Sequence, residues 1–185
     1  MEDILLRRAV LADAAVLPDV ERSADAVFRG VPGLEWIADD AVLGVEAQRR
    51  WIRRGHVWVA EQAGRGILGF VTAQEVEDLF HIWQIAVRAE AQRAGIGRAL
   101  IARVEATALA AGRSALTLTT FRALAFNEAF YAGLGFRVLR PSECRGRLAG
   151  ILRAEAEHGL PAERRCAMRR DLGTPDRSRA EPHAT

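Results

Sequence analysis

The chain has 185 residues, half of them hydrophobic and 27% charged, the composition of a water-soluble globular domain. Lys+Arg 26 against Asp+Glu 24 leaves a formal charge of +2, too balanced to argue for nucleic acid or a membrane surface. All the basic residues are arginine, which excludes Schiff-base chemistry and a phosphate-binding P-loop, both of which need lysine.

In chain order, residues 4–10 alternate as a first strand. Asp13 is placed to cap a helix running to about Phe28, with Pro18 as an early irregularity or restart. Residues 29–34 are loop material, and Asp39 and Asp40 precede a helical segment whose apolar side is Val42, Val45, Trp51 and Ile52. A hairpin follows: residues 56–62, a Gly64-Arg65-Gly66 turn, and residues 67–76. LFHIWQIAV, residues 79–87, is nearly all apolar and predicts a central strand covered on both faces.

Gly95 and Gly97 open a helix with a buried stripe of Ile96, Leu100, Ile101, Val104 and Ala108, and Gly112 ends it. Residues 114–121 form a β-branched strand, 123–132 a short helix, 135–139 a strand, 147–159 a helix and 163–172 a closing strand. The polar end, residues 173–185, reads as a disordered tail after a single domain, residues 1–172. The order β-α-α-β-β-β-α-β-α-β-α-β predicts an α/β (α+β) fold, one mixed sheet flanked by helices.

Cys144 and Cys166 make no disulfide framework, and the four histidines lack metal-ligand spacing, so no metal is expected. The N-terminus, MEDILLRRAV, does not read as a secretory signal, and no run of about 18 apolar residues occurs, so a cytoplasmic location is expected.

The strongest chemical signal is HIWQIAVRAEAQRAGIGRALI: strand, short polar loop, Gly95-x-Gly97, helix. First-turn amides of a helix have no intrahelical partner, and the dipole adds about half a positive charge, so this is an anion site. Arg93 and Arg98 reinforce the sign. The alternative is a tight strand-to-helix turn with no ligand. A dinucleotide-binding fold is excluded, because Leu100 fills the third glycine position and the next strand ends in Thr119-Thr120 rather than an acid.

QRAGIGRA at residues 92–99 resembles the acetyl-CoA pyrophosphate loop of the GCN5-related N-acetyltransferase (GNAT) superfamily, and NEAFYAGLGF at 127–136 resembles its second block at the family spacing. The resemblance is close over residues 79–139 and looser over 4–172. It implies a sheet splayed between residues 79–87 and 114–121 and an acetyl-CoA whose pantetheine arm bonds the main chain of Ile85, Ala86 and Val87. The amides of Gln92, Arg93, Ala94, Gly95, Ile96, Gly97 and Arg98 would hold the pyrophosphate, and Asn127 would touch the cofactor arm.

Tyr131, the only tyrosine, occupies the family position of the acid that protonates the departing thiolate; a packed core tyrosine is the alternative. His81 stands where many relatives carry a glutamate base, on a strand resembling that of arylalkylamine N-acetyltransferases, with Trp83 in place of a second histidine. A pKa near 6.5 suits a base, while a packing histidine is the other reading. By the period of two, His81, Trp83, Ile85 and Val87 share one face. Glu21, Trp36 and Glu75 are candidates for the acceptor side.

The expected activity is acetyl-CoA-dependent transfer to a primary amine of a small molecule or peptide by direct attack in a ternary complex. The competing class is a non-catalytic acyl-CoA sensor of the same fold. The partners expected are a small-molecule amine and a second copy of the chain in a homodimer; no nucleic acid and no membrane are expected.

Overall fold

The computed structural model describes residues 4–173. The expected tail lies outside these residues apart from Gly173. The described chain falls into two compact units, one of residues 4–75 and 81–104, the other of residues 76–80 and 105–173. Among the described residues there are seven strands, and the expected mixed sheet flanked by helices is what forms.

The first unit carries strands β1 (Ile4–Arg8), β2 (Val57–Gln62), β3 (Gly66–Val76, its last residue in the other unit) and β4 (Leu79–Val87, whose first two residues are likewise shared), in that order across the sheet. β1 pairs antiparallel with β2, and β2 with β3. Helices α1 (Leu17–Asp25) and α2 (Val45–Arg53) cover one face. Leu17 and Val20 of α1 pack on Val57, Val59, Ile67, Phe70 and Ala86, with Trp51 and Ile52 of α2 against the same cluster. Helix α3 (Ile96–Ala110) buries its expected stripe entirely: Ile96, Leu100, Ile101, Val104 and Ala108 are all in the core. It stops at Gly112, whose positive φ lets Arg113 N–H fold back onto Ala108 O at 2.8 Å.

The second unit is built on β5 (Ala115–Phe121), β6 (Arg137–Val138) and β7 (Arg165–Asp171), with helices α4 (Glu128–Ala132) and α5 (Arg147–Glu157). The last strand lies between the other two: β7 pairs antiparallel with β5 over its whole length and with β6 at Arg137 and Val138. Glu155 ties α5 down, accepting from Thr119 of β5 at 2.5 Å and bidentately from Arg165 of β7 at 2.9 and 3.0 Å.

Several sequence expectations are corrected. Asp13 caps no long helix: its carboxylate accepts Val10 N–H at 2.7 Å and two Arg7 N–H groups, closing a 3-10 turn at Leu11–Ala15. The α-helix restarts at Leu17 with Pro18 in its first turn, where a missing N–H costs nothing, and continues after Asp25 as a 3-10 turn, Ala26–Gly30. Asp40 does not cap α2. Its carboxylate accepts Ala41 N–H, and the helix begins only after Gly44. Residues 41–44 run outside the helix, where Leu43 N–H donates to Glu21 of α1 at 3.3 Å. α4 loses the first turn expected of it, since Ala123 has φ +57° and gives its N–H to Glu128 Oε2.

Candidate active site

Two local structures in the first unit hold most of the candidate site residues. The first is the loop from β4 to α3. Arg88 anchors it, donating its amide to Leu68 O at 2.8 Å and its Nε to Ile67 O at 3.0 Å, while Ala89 N–H reaches Ser23 Oγ on α1. A 3-10 turn (Ala89–Ala91) follows, then Arg93 at φ +61° and Gly95 at φ +84° swing the backbone into α3. Gln92, Arg93, Ala94, Gly95 and Arg98 are exposed, while Ile96 is buried and pins the turn. The first-turn amides of α3 therefore open on solvent beside two guanidinium groups, the arrangement that holds a phosphate.

The structure alters two details. Gln92 N–H donates to Ala89 O at 3.3 Å, so its amide serves the turn rather than an anion. Its side-chain carboxamide donates to Val87 O at 3.1 Å, occupying a main-chain acceptor expected to face the cofactor arm. Gly69 of β3 explains how the loop sits so close to the strand. A Cβ there would meet Ala86 O at 2.8 Å, the Val87 side chain at 3.2 Å and the Ile96 side chain at 3.3 Å.

The second structure is the face of β4 toward α1 and α2. Trp83 lies 5.8 Å, centroid to centroid, from Trp51 of α2, and edge-on to His81 at 4.7 Å. The next residue, Gln84, hydrogen-bonds Glu21 of α1. Consecutive residues that both face the helices break the period of two, as a bulge does. Alternation then resumes, with Ala86 in the α1 cluster and Val87 on the opposite side beside Ile96. His81 and Trp83 thus share a face that Val87 does not, which corrects the single face expected from unbroken alternation. The strand is also not covered on both sides: Trp83 is 39% exposed, while His81 is fully buried.

Carboxylates collect on the same side. Burial raises Glu21 above the usual range, outweighing its hydrogen bonds from Gln84 and Leu43. Burial, then the charges of Glu21 and Asp40, raise Asp25 to about 7. Trp36 is exposed on a 3-10 turn (Glu35–Asp39), and Glu75 is half-buried near His56, whose pKa is lowered chiefly by burial and by Arg8.

In the second unit, Tyr131 is 6% exposed, its ring edge-on to Phe130 and Phe136, its N–H bonded to Asn127 O at 3.0 Å. Burial holds its phenol well above the usual range against the opposing charge of Arg165, so it stays protonated at neutral pH. Asn127 occupies the turn before α4, half-buried, its side chain making no capping bond.

Sequence reasoning set Gln84 aside as pointing away from His81 and unable to act as a base, whereas it bonds Glu21 of α1; Asp25, Gln48 and Thr72 were missed. Asp25 had a signal, because it lies four residues after Glu21 and so on the same helix face. Gln48 and Thr72 had none. Gln48 is 0% and Thr72 1% exposed, and neither the carboxamide of the first nor the hydroxyl of the second has a protein hydrogen-bond partner. Burial without a partner costs about 1–3 kcal/mol per group.

Residues 53–138 match the family model described as the acetyltransferase (GNAT) domain. PaiA N-acetyltransferase from Thermoplasma acidophilum, solved with coenzyme A, is similar at TM-score 0.69 and 18% identity, over 92% of this chain and 99% of that one. yncA from Salmonella typhimurium, solved with its cofactor acetyl-CoA, is similar at TM-score 0.66 and 18% identity over 99% of each chain. N-acetylglutamate synthase from Neisseria gonorrhoeae, complexed with coenzyme A and N-acetyl-glutamate, gives TM-score 0.69 and 18% identity over 93% of this chain and 36% of that one. Residues 53–138 thus match the acetyltransferase (GNAT) domain, and the chain shares the acyl-CoA N-acyltransferase fold of these structures.

Proposed function

We propose that the chain is a cytoplasmic acetyl-CoA-dependent N-acetyltransferase acting on a primary amine of a small molecule or peptide, with direct attack of the amine on the thioester. The observation that carries this reading is the β4–α3 loop, its outward amides flanked by Arg93 and Arg98, within a GNAT domain. The pyrophosphate of acetyl-CoA is held by the amides from Arg93 to Arg98, with Gln92 shaping the turn, and the arm runs along Ile85 and Ala86. Asn127 contacts the arm.

An amine with pKa about 10.4 is protonated at neutral pH, and freeing it costs about 4–5 kcal/mol. His81 takes that proton, the amine nitrogen attacks the carbonyl carbon, the C–S bond breaks, the Tyr131 hydroxyl gives its proton to the thiolate, and the second proton still on the nitrogen returns to the Tyr131 phenolate as the amide forms. Glu21, Trp36 and Glu75 belong to the acceptor side. Free-thiol release from acetyl-CoA across an amine panel tests the reading. Tyr131→Phe is expected to lower kcat by roughly 100-fold or more with little change in the KM for acetyl-CoA. An unchanged kcat removes the acid role.

A further inference from the structure

The face between helices α1 and α2 and strands β3 and β4 holds polar groups that a dry core would not tolerate. Gln48 lies one turn before Ile52 on α2, and Ile52 packs on the cluster containing Leu17, Phe70 and Ala86. Thr72 is two residues after Phe70 of β3, and its antiparallel partner Val57 is in the same cluster, so its side chain enters the same layer. Gln84 lies two residues before Ala86 and bonds Glu21 across the layer. Gln48 Oε1 and Nε2, Thr72 Oγ1 and Gln84 Oε1 are all buried without a protein hydrogen-bond partner.

We propose that this layer is the acceptor-recognition recess, and that it reads a carboxamide or peptide group of the amine substrate through Gln48, Thr72 and Gln84. The proposal rests on the N-acetyltransfer reading, for which it names the acceptor class. The orphaned atoms decide the chemistry. The Gln84 and Gln48 oxygens require donors, the Gln48 nitrogen requires an acceptor, and the Thr72 hydroxyl serves either way. A carboxamide offers N–H and C=O side by side; a carboxylate offers no donor and meets the Glu21, Asp25 and Asp40 charges, while an alkyl group offers neither. Those same carboxylates favour the ammonium form of an arriving amine. Trp83, exposed at the outer end of the layer and facing Trp51, gives the acceptor an aromatic wall.

The test compares alaninamide, alanine and the hydrocarbon isostere in which isopropyl replaces the carboxamide. Two readouts are taken: acetylation kcat/KM, and the melting-temperature rise each compound causes without acetyl-CoA. Alaninamide is expected to exceed the isostere on the order of 10- to 100-fold in kcat/KM, because the isostere leaves buried polar atoms unpaired. Gln48→Leu, and the near-isosteric Thr72→Val as a second variant, are each expected to lose most of that ratio. A ratio near one in the wild type, a ratio unchanged in both variants, or a preference for alanine overturns the recess. Turnover without selectivity leaves the transferase reading standing and removes the recess. Stabilisation by alaninamide alone with no turnover of any amine does the reverse. Neither turnover nor stabilisation overturns both.

Discussion

Asp25 shows how one carboxyl can carry the pH behaviour of a site. Its folded pKa of about 7 lies well above the ordinary aspartate value of about 4, because burial and the Glu21 and Asp40 charges disfavour its ionised form. Between those values the folded chain holds a proton that the unfolded chain has released, so the stability contribution falls as pH rises from about 4 to 7 and is flat above. Glu21, also raised, acts in the same sense. Asp25→Asn is therefore expected to raise the melting temperature at pH 8 and to flatten its fall across that window, as thermal unfolding at a series of pH values would show. A melting curve equally pH-dependent in the variant would remove Asp25 as the source. At this scale the sequence was informative where a motif carried the residue: Tyr131, Gly95 and Arg98 stood in recognisable blocks. Gln48 and Thr72 did not, because a polar residue in a pattern of apolar ones carries no mark of whether burial has taken its partners away.

Among the elements, α3 was the most legible, since a 3.6-residue stripe and a terminal glycine leave little choice. β4 was located but its facing was not, because an apolar run carries no mark of where strict alternation breaks. The consequence is chemical: Trp83 and Gln84 both meet the helices, while Val87 lies on the other side. Gly69 lies against the same strand. Gly69→Ala would force Ala86 O, Val87 and Ile96 to move, since a Cβ cannot sit 2.8 Å from a carbonyl oxygen. The expected cost is about 1–3 kcal/mol in urea unfolding, with a raised KM for acetyl-CoA as the β4–α3 loop shifts. A variant with wild-type stability and KM would show that the strand and loop yield there freely. The first helices were misjudged for a related reason: Asp13 and Asp40 have the capping residue type, but Arg7 and Ala41 claim their carboxylates first.

For the molecule as a whole, a ligand that binds only the folded chain must stabilise it by mass action. Acetyl-CoA at about a hundredfold excess over its Kd should add about 2.7 kcal/mol and raise the melting temperature, an effect that Arg98→Ala should diminish. No stabilisation at saturating acetyl-CoA would dismiss the donor. The order of strands and helices, the stripe of α3 and the glycine loop could all be read in advance, because each is set by residues near one another in sequence. The insertion of β7 between β5 and β6, the doubling of β4's helix-facing side and the pairing of Glu21 with Gln84 could not. Each joins positions far apart along the chain, and only the packing that removes water from the core determines which distant groups meet.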